Sequence, residues 1–257
     1  MYLIGGLMKK LFQTLCVLLA ISSQVDARTT QPERNINSGN FLSITQETSS
    51  AKNLAKLYSI KTFQSAPIRQ PYSEFGTLYE NAVTGQVELE RLSKRIALQS
   101  NGTLLSSGVK SKSRAIEKIN SDLAGANDKI TDLARTSIIA KNVTQLMAAF
   151  TLFDQQTELV RIKNRFSTPK ASGYRDLNLL VRLPESKIIA EVQLHLEAFS
   201  VIKNGKEHDN YEQIQQIERL QLTDNRPLSK IELASINKLR KESQQLYQQA
   251  WNQYLTA

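Results

Sequence analysis

Cysteine is nearly absent from this 257-residue chain. The one present, Cys16, lies inside an apolar N-terminal segment. Residues 8–27, MKKLFQTLCVLLAISSQVDA, have the layout of a secretory signal. Lys9-Lys10 form a basic start, Leu11 to Ile21 an apolar stretch, and Val25-Asp26-Ala27 a small-residue cleavage site. A buried first helix or a membrane anchor is the alternative use of such a segment. A lipid-bearing cysteine would follow the apolar stretch, so lipidation is set aside. Cleavage after Ala27 would leave no cysteine, which excludes disulfides and thiol nucleophiles and suits an oxidising compartment. Histidine is also scarce. His195 and His208 are the two, too few to build a His-rich metal hydrolase site. The stretch from Leu11 to Ile21 is too short for a confident membrane span. The expectation is an exported chain, periplasmic or secreted, with no stable membrane insertion after cleavage.

What the chain has in excess is positive charge. Its net charge is +9 and its pI about 9.6. Removing residues 1–27 takes away Lys9, Lys10 and Asp26, so the remainder is still strongly basic. That balance suits an anionic partner such as a nucleotide, a nucleic acid or a membrane surface, or a basic surface with no partner at all. Hydrophobic content of 40% is enough for one core with appendages. Residues 28–70 are rich in Thr, Ser, Gln and Asn and are expected to be a mobile polar segment, with a helical turn or two at 51–58. Residues 71–257 are the expected domain.

Apolar spacing predicts helices over 74–99, 111–122 and 142–153, and two more over 207–220 and 230–255. Residues 128–140 turn β-like, ending in the buried run Ser137-Ile138-Ile139-Ala140. Strands are predicted over 159–166, 176–183 and 187–196. The order implies an α+β fold with a mixed sheet.

Three clusters carry candidate chemistry. In KIIAEVQLHL, Glu191, Gln193 and His195 are spaced by two and share one face of a strand, with Val192, Leu194 and Leu196 on the other. That polar face lines a cleft or is an ordinary solvent face. Asp132 and Arg135 sit at the entry to a strand, where a carboxylate beside a phosphate-binding guanidinium suits Mg²⁺ and phosphate, or where they cap and solvate. Lys110, Lys112, Arg114 and Lys118 form a basic cluster upstream, or one solvated helix face.

Together these pieces resemble the synthetase domain of the RelA/SpoT family of pyrophosphokinases, over roughly Leu78 to Arg219. The blocks occur in the family's order: SGVKSKSRAIEKI, ITDLARTSII, RIKNRFSTPKASGYRDLNLLV, EVQLHL and EHDNYEQ. The resemblance implies a nucleotidyltransferase-like mixed sheet flanked by helices. It also implies Mg²⁺-dependent transfer of the ATP β,γ-pyrophosphoryl group to the 3′-hydroxyl of a purine nucleotide, GDP or GTP first. Carried over by residue, Asp132 would hold Mg²⁺, and Glu191 would be the base for the hydroxyl and a further metal ligand. Lys110, Arg114, Lys118, Arg135 and Lys163 would contact ATP and its phosphates. Lys170, Tyr174, Asn178, Gln193 and His195 would form the acceptor side, with Tyr174 stacking on the base.

This chain departs from the family pattern at Gly108, which stands for an arginine. It departs again at Ala171-Ser172 before Gly173-Tyr174, at Asp176 and Asn178 in place of Ser and His, and at His195 in place of Arg. The acceptor base is therefore open between guanine, adenine and an RNA 3′ end. Two other roles stay open, a toxin delivered into another cell's cytoplasm and a nucleotide-binding module without turnover.

Overall fold

The computed structural model describes residues 50–65 and 67–255, all within the compact unit that spans 39–257. The expected signal segment, and residues 28–49 of the expected mobile segment, lie outside the described residues.

Residues 50–59 are helical (α1), and Phe63–Gln64 is a short strand, β1. α2 follows at Phe75–Gln99. Its cap is the carboxylate of Glu74, which accepts from the Gly76 and Thr77 amides at 2.7 and 2.6 Å. β2 is Thr103–Ser106, and α3 is Lys112–Asp122 with Ser111 as its cap. After a 3₁₀ turn at Asn127–Lys129 comes β3, Arg135–Ala140. α4 is Val143–Gln156, capped by Asn142. β4 (Glu158–Asn164), β5 (Leu177–Arg182) and β6 (Ile189–Leu196) follow. Three helices end the chain: α5 (Glu197–Lys203), α6 (Lys206–Thr223) and α7 (Lys230–Leu255).

The six strands form one sheet in the order β1-β4-β5-β6-β3-β2. β3 and β6 are parallel and every other pair is antiparallel. The α+β mixed sheet expected from the pattern is the one observed. Alternation assigns its two faces. Leu177, Leu179 and Val181 of β5, Val192, Leu194 and Leu196 of β6, and Ile138 of β3 are fully or almost fully buried, and α2 and α4 pack on the sheet. The other face is polar along β4, β5, β6 and β3, and it carries the site. One end of that face is closed by Val160, Leu180 and Ile189, with Ile68 against them.

Several expectations need correction. Residues 50–65 and 67–70 are built into the fold. Leu57 is fully buried, and Asn164 donates to the Leu57 and Ile60 carbonyls at 2.7 and 3.0 Å. The Gln70 side chain bonds the Ile130 carbonyl and both backbone groups of Ile189. Only Arg135 to Ala140 of the β-like stretch 128–140 is strand. β1 and β2 escape a pattern search because they are short and mostly exposed. α5 escapes because it continues directly from the apolar run of β6.

Candidate active site

The polar face is assembled by register. Arg135 pairs with Glu191 and Ser137 with Gln193 between β3 and β6. Asn178 pairs with Gln193 between β5 and β6, and Lys163 with Asn178 between β4 and β5. Residues directly opposite share a face, so Arg135, Glu191, Gln193, Asn178, Arg161 and Lys163 line one surface. The Gln86 amide, reaching from α2, fixes the start of β3. It accepts from the Arg135 N–H at 2.8 Å and donates to the Arg135 carbonyl at 3.0 Å.

At one end lies Asp132, in the loop that leads into β3. Its Oδ2 accepts from Lys118 Nζ at 2.8 Å and forms an ion pair with Lys110 Nζ at 3.1 Å. Its Oδ1 is buried and has no hydrogen-bond partner among the described residues. Burial raises the carboxyl's pKa, but the two ammoniums outweigh it and hold the group below the usual carboxylate range. Arg135 Nε and Arg161 Nε are likewise buried without partners among the described residues. Buried polar atoms without a protein partner call for water, an ion or another polar ligand. Arg114 is exposed on α3, and its backbone N–H takes the Ser111 cap.

In the centre, Glu191 is half-buried, and its Oε1 accepts from Asn178 Nδ2 at 2.7 Å. Asn178 Oδ1 accepts from Arg161 Nη2 at 3.1 Å. Burial and the neighbouring Arg161 and Arg165 charges push the Lys163 pKa down.

At the other end the expected stacking platform is not free. Tyr174 is 6% exposed. Its phenol donates to Asp176 Oδ2 at 2.9 Å and lies 3.0 Å from His195 Nδ1, while Arg165 grips Asp176 Oδ1 at 2.7 Å. Tyr247 of α7 packs edge-on against the ring at 5.7 Å between centroids. Lys170 and Lys203 ammoniums sit 5.3 and 5.6 Å from the ring centre. The reason is α7. Gly173 turns with φ +85°, and a Cβ there would come within 3.1 Å of Gln244 Cα, so only glycine lets the loop lie this close to the helix. Gln244 Nε2 then donates to the Ala171 carbonyl at 2.6 Å.

His195 is 2% exposed and is pushed down to about 3, by burial first and then by the Lys203 and Arg165 charges. It is therefore neutral near pH 7 and supplies no cationic contact. The charge at this end comes from Lys203, whose Nζ donates to Gln193 Oε1 at 3.1 Å, and from Lys170. Burial pushes both lysines' pKa values down. Asn178 is 2% exposed with its amide already engaged on both sides, which removes it from the acceptor surface.

The structure thus gathers Lys110, Lys118, Asp132, Arg135, Lys163, Glu191 and Gln193 on one face. Arg161, Arg165 and Lys203, which are not among the sequence candidates, lie beside these residues. Arg161 is legible, because RIKNR places it two before Lys163 on one face of β4, whereas Arg165 falls in the turn just after that strand. Lys203 had no local signal.

Residues 107–216 match the family model described as the region found in RelA / SpoT proteins. Over 67 residues the chain is 34% identical to the (p)ppApp synthetase toxin Tas1 of Pseudomonas aeruginosa (strain UCBPP-PA14). That match covers 26% of this chain and 15% of the relative's length. Among solved structures, the Type VI effector Tas1 in complex with its immunity protein gives a TM-score of 0.53 at 20% identity, covering 68% of this chain and 94% of that one. The small alarmone synthetase 2 of Bacillus subtilis gives 0.45 at 16%, covering 69% and 98%. The match to the RelA / SpoT region is thus confined to residues 107–216, and the mixed sheet with flanking helices is the fold of the Tas1 structure.

Proposed function

We propose that this chain, with its RelA/SpoT region at residues 107–216, is an ATP-dependent pyrophosphokinase acting on a free purine nucleotide. The observation that carries the reading is the convergence of Asp132, Glu191 and the Lys/Arg set on one polar sheet face. In the transfer, the acceptor's 3′-oxygen bonds to the β-phosphorus of ATP, the bond from that phosphorus to the α–β bridging oxygen breaks, and AMP leaves. Glu191 accepts the hydroxyl proton. Lys110, Lys118 and Arg135 neutralise the donor phosphates, with Arg161 and Lys163 beside the transferred group. Lys170 and Lys203 face the acceptor's phosphates.

Mg²⁺ fits the carboxylates. Asp132 keeps Oδ1 unpartnered while its Oδ2 is held by two lysines, and Glu191 adds a second hard oxygen donor. Among the described residues no cluster of three or more His, Cys, Asp or Glu gathers, so phosphate oxygens and water would complete the coordination. When bound, the ion would add charge neutralisation at the transferred phosphates.

The relative's name supports adenine nucleotides as acceptors beside GDP and GTP. It also motivates the reading of this chain as an exported toxin, acting in another cell's cytoplasm where ATP is abundant and countered by a neutralising partner in the producer. The test is expression of residues 28–257 in a bacterial cytoplasm beside the Glu191→Gln variant, with AMP release from ATP measured on both proteins. Growth arrest and acceptor-dependent AMP release by the parent alone are expected. Harmless growth and no AMP release with both would refute the reading.

A further inference from the structure

We propose that Asn178 is a positioning residue: its side-chain amide holds the Glu191 carboxylate in the orientation that receives the hydroxyl proton and fixes Arg161 on the other side of the same strand. The inference rests on the reading of Glu191 as the base.

The geometry is two-sided. β5 is central, between β4 and β6. From it, Asn178 donates to Glu191 Oε1 on β6 at 2.7 Å and accepts from Arg161 Nη2 on β4 at 3.1 Å. At 2% exposed it has no surface to offer a nucleotide.

Glu191 and Arg161 need such a tether. A half-exposed glutamate explores several rotamers unless a partner selects one, and a base must sit within hydrogen-bond reach of its proton. Arg161 Nε is buried with no partner, and its one hydrogen bond among the described residues is the one to Asn178. A neutral amide serves here because it donates to a carboxylate and accepts from a guanidinium at once. Aspartate, of nearly the same shape, keeps the acceptor for Arg161 but turns a second carboxylate oxygen toward Glu191. The position is one of the departures noted above, with Asn178 where the resembling proteins carry histidine. Histidine retains an N–H donor and so suits a rescue variant.

The experiment uses the whole chain with Asn178→Ala, Asn178→Asp and Asn178→His, and two readouts. In steady-state kinetics with ATP and a purine nucleotide, Ala and Asp are expected to lower kcat by about 10- to 100-fold, as misplacing a reacting group does. KM for both substrates should move by less than about twofold, because uniform binding is untouched. Histidine should recover most of the lost kcat. A raised acceptor KM with unchanged kcat would overturn the proposal and make Asn178 a contact for the acceptor. Crystal structures of the Ala and Asp variants give the second readout. Displacement of the Glu191 carboxylate from the parent position is expected, and an unmoved carboxylate in both overturns the tether whatever the kinetics. Glu191→Gln run in parallel separates the two failures. Full transfer by that variant would refute Glu191 as the base, while the crystal structures would still show whether Asn178 holds it.

Discussion

The two ends of the polar face handle charge in opposite ways. At the end assigned above to the donor, Lys110 and Lys118 converge on one carboxylate oxygen of Asp132, so both cations already share an anionic partner before any ligand arrives. At the acceptor end, Lys170 and Lys203 share the Tyr174 ring and form no salt bridge among the described residues, because Asp176 is taken by Arg165. Burial and like charge depress both ammoniums there. If the proposed function holds, the donor end exchanges partners when a metal–triphosphate binds. The acceptor end holds surplus charge that a polyanion relieves. Acceptor binding should therefore be the more salt-sensitive of the two.

The largest effect should come from the point between the ends. Glu191→Gln leaves both cation sets in place and should lower transfer by about 10²- to 10⁴-fold, the range of general base catalysis, while nucleotides still bind by calorimetry. Next, Asp132→Asn should lower transfer about 100-fold in Mg²⁺, in line with the loss of charge stabilisation at a transferred phosphate. It should also tighten ATP binding in the absence of Mg²⁺, since two lysines lose their carboxylate. Weaker metal-free binding would mean that the donor end does not work by partner exchange.

The third effect is on stability. The unfolded chain protonates His195 near its ordinary pKa of about 6.5, whereas the fold holds it neutral down to about 3. Between those values the unfolded state binds more protons, so stability falls as the pH drops. From pH 7 to pH 5 the loss attributable to His195 is about 2 kcal/mol. Urea unfolding should show a shallower pH slope in His195→Asn, and equal slopes would place the imidazole in contact with water. The smallest effect separates the ends directly. Lys203→Ala should raise acceptor KM by about tenfold, the worth of one charged hydrogen bond, and leave ATP KM alone. Lys118→Ala should do the reverse.

The candidate carboxylates and the positions of the central strands follow from local pattern, but the pairing register that brings them together does not. Asp132 precedes a strand, and Glu191 and Gln193 alternate with core residues, so short windows suffice to place them. The environment of Tyr174 does not follow. It is set by Gln244 and Tyr247 on a helix far along the chain and by His195 on another strand. A Gly-Tyr loop looks the same whether or not a later helix covers it. The same distance hides Lys203 of α5, and with it the burial that keeps the His195 imidazole neutral.

The most direct test of the account supplies the chain with ATP labelled at the β-phosphate, Mg²⁺ and equal amounts of ADP, GDP and tRNA. Label on the 3′-oxygen of a free purine nucleotide is expected, with AMP formed in equal amount. Label on tRNA alone, or no labelled product from folded protein that binds ATP, would contradict it.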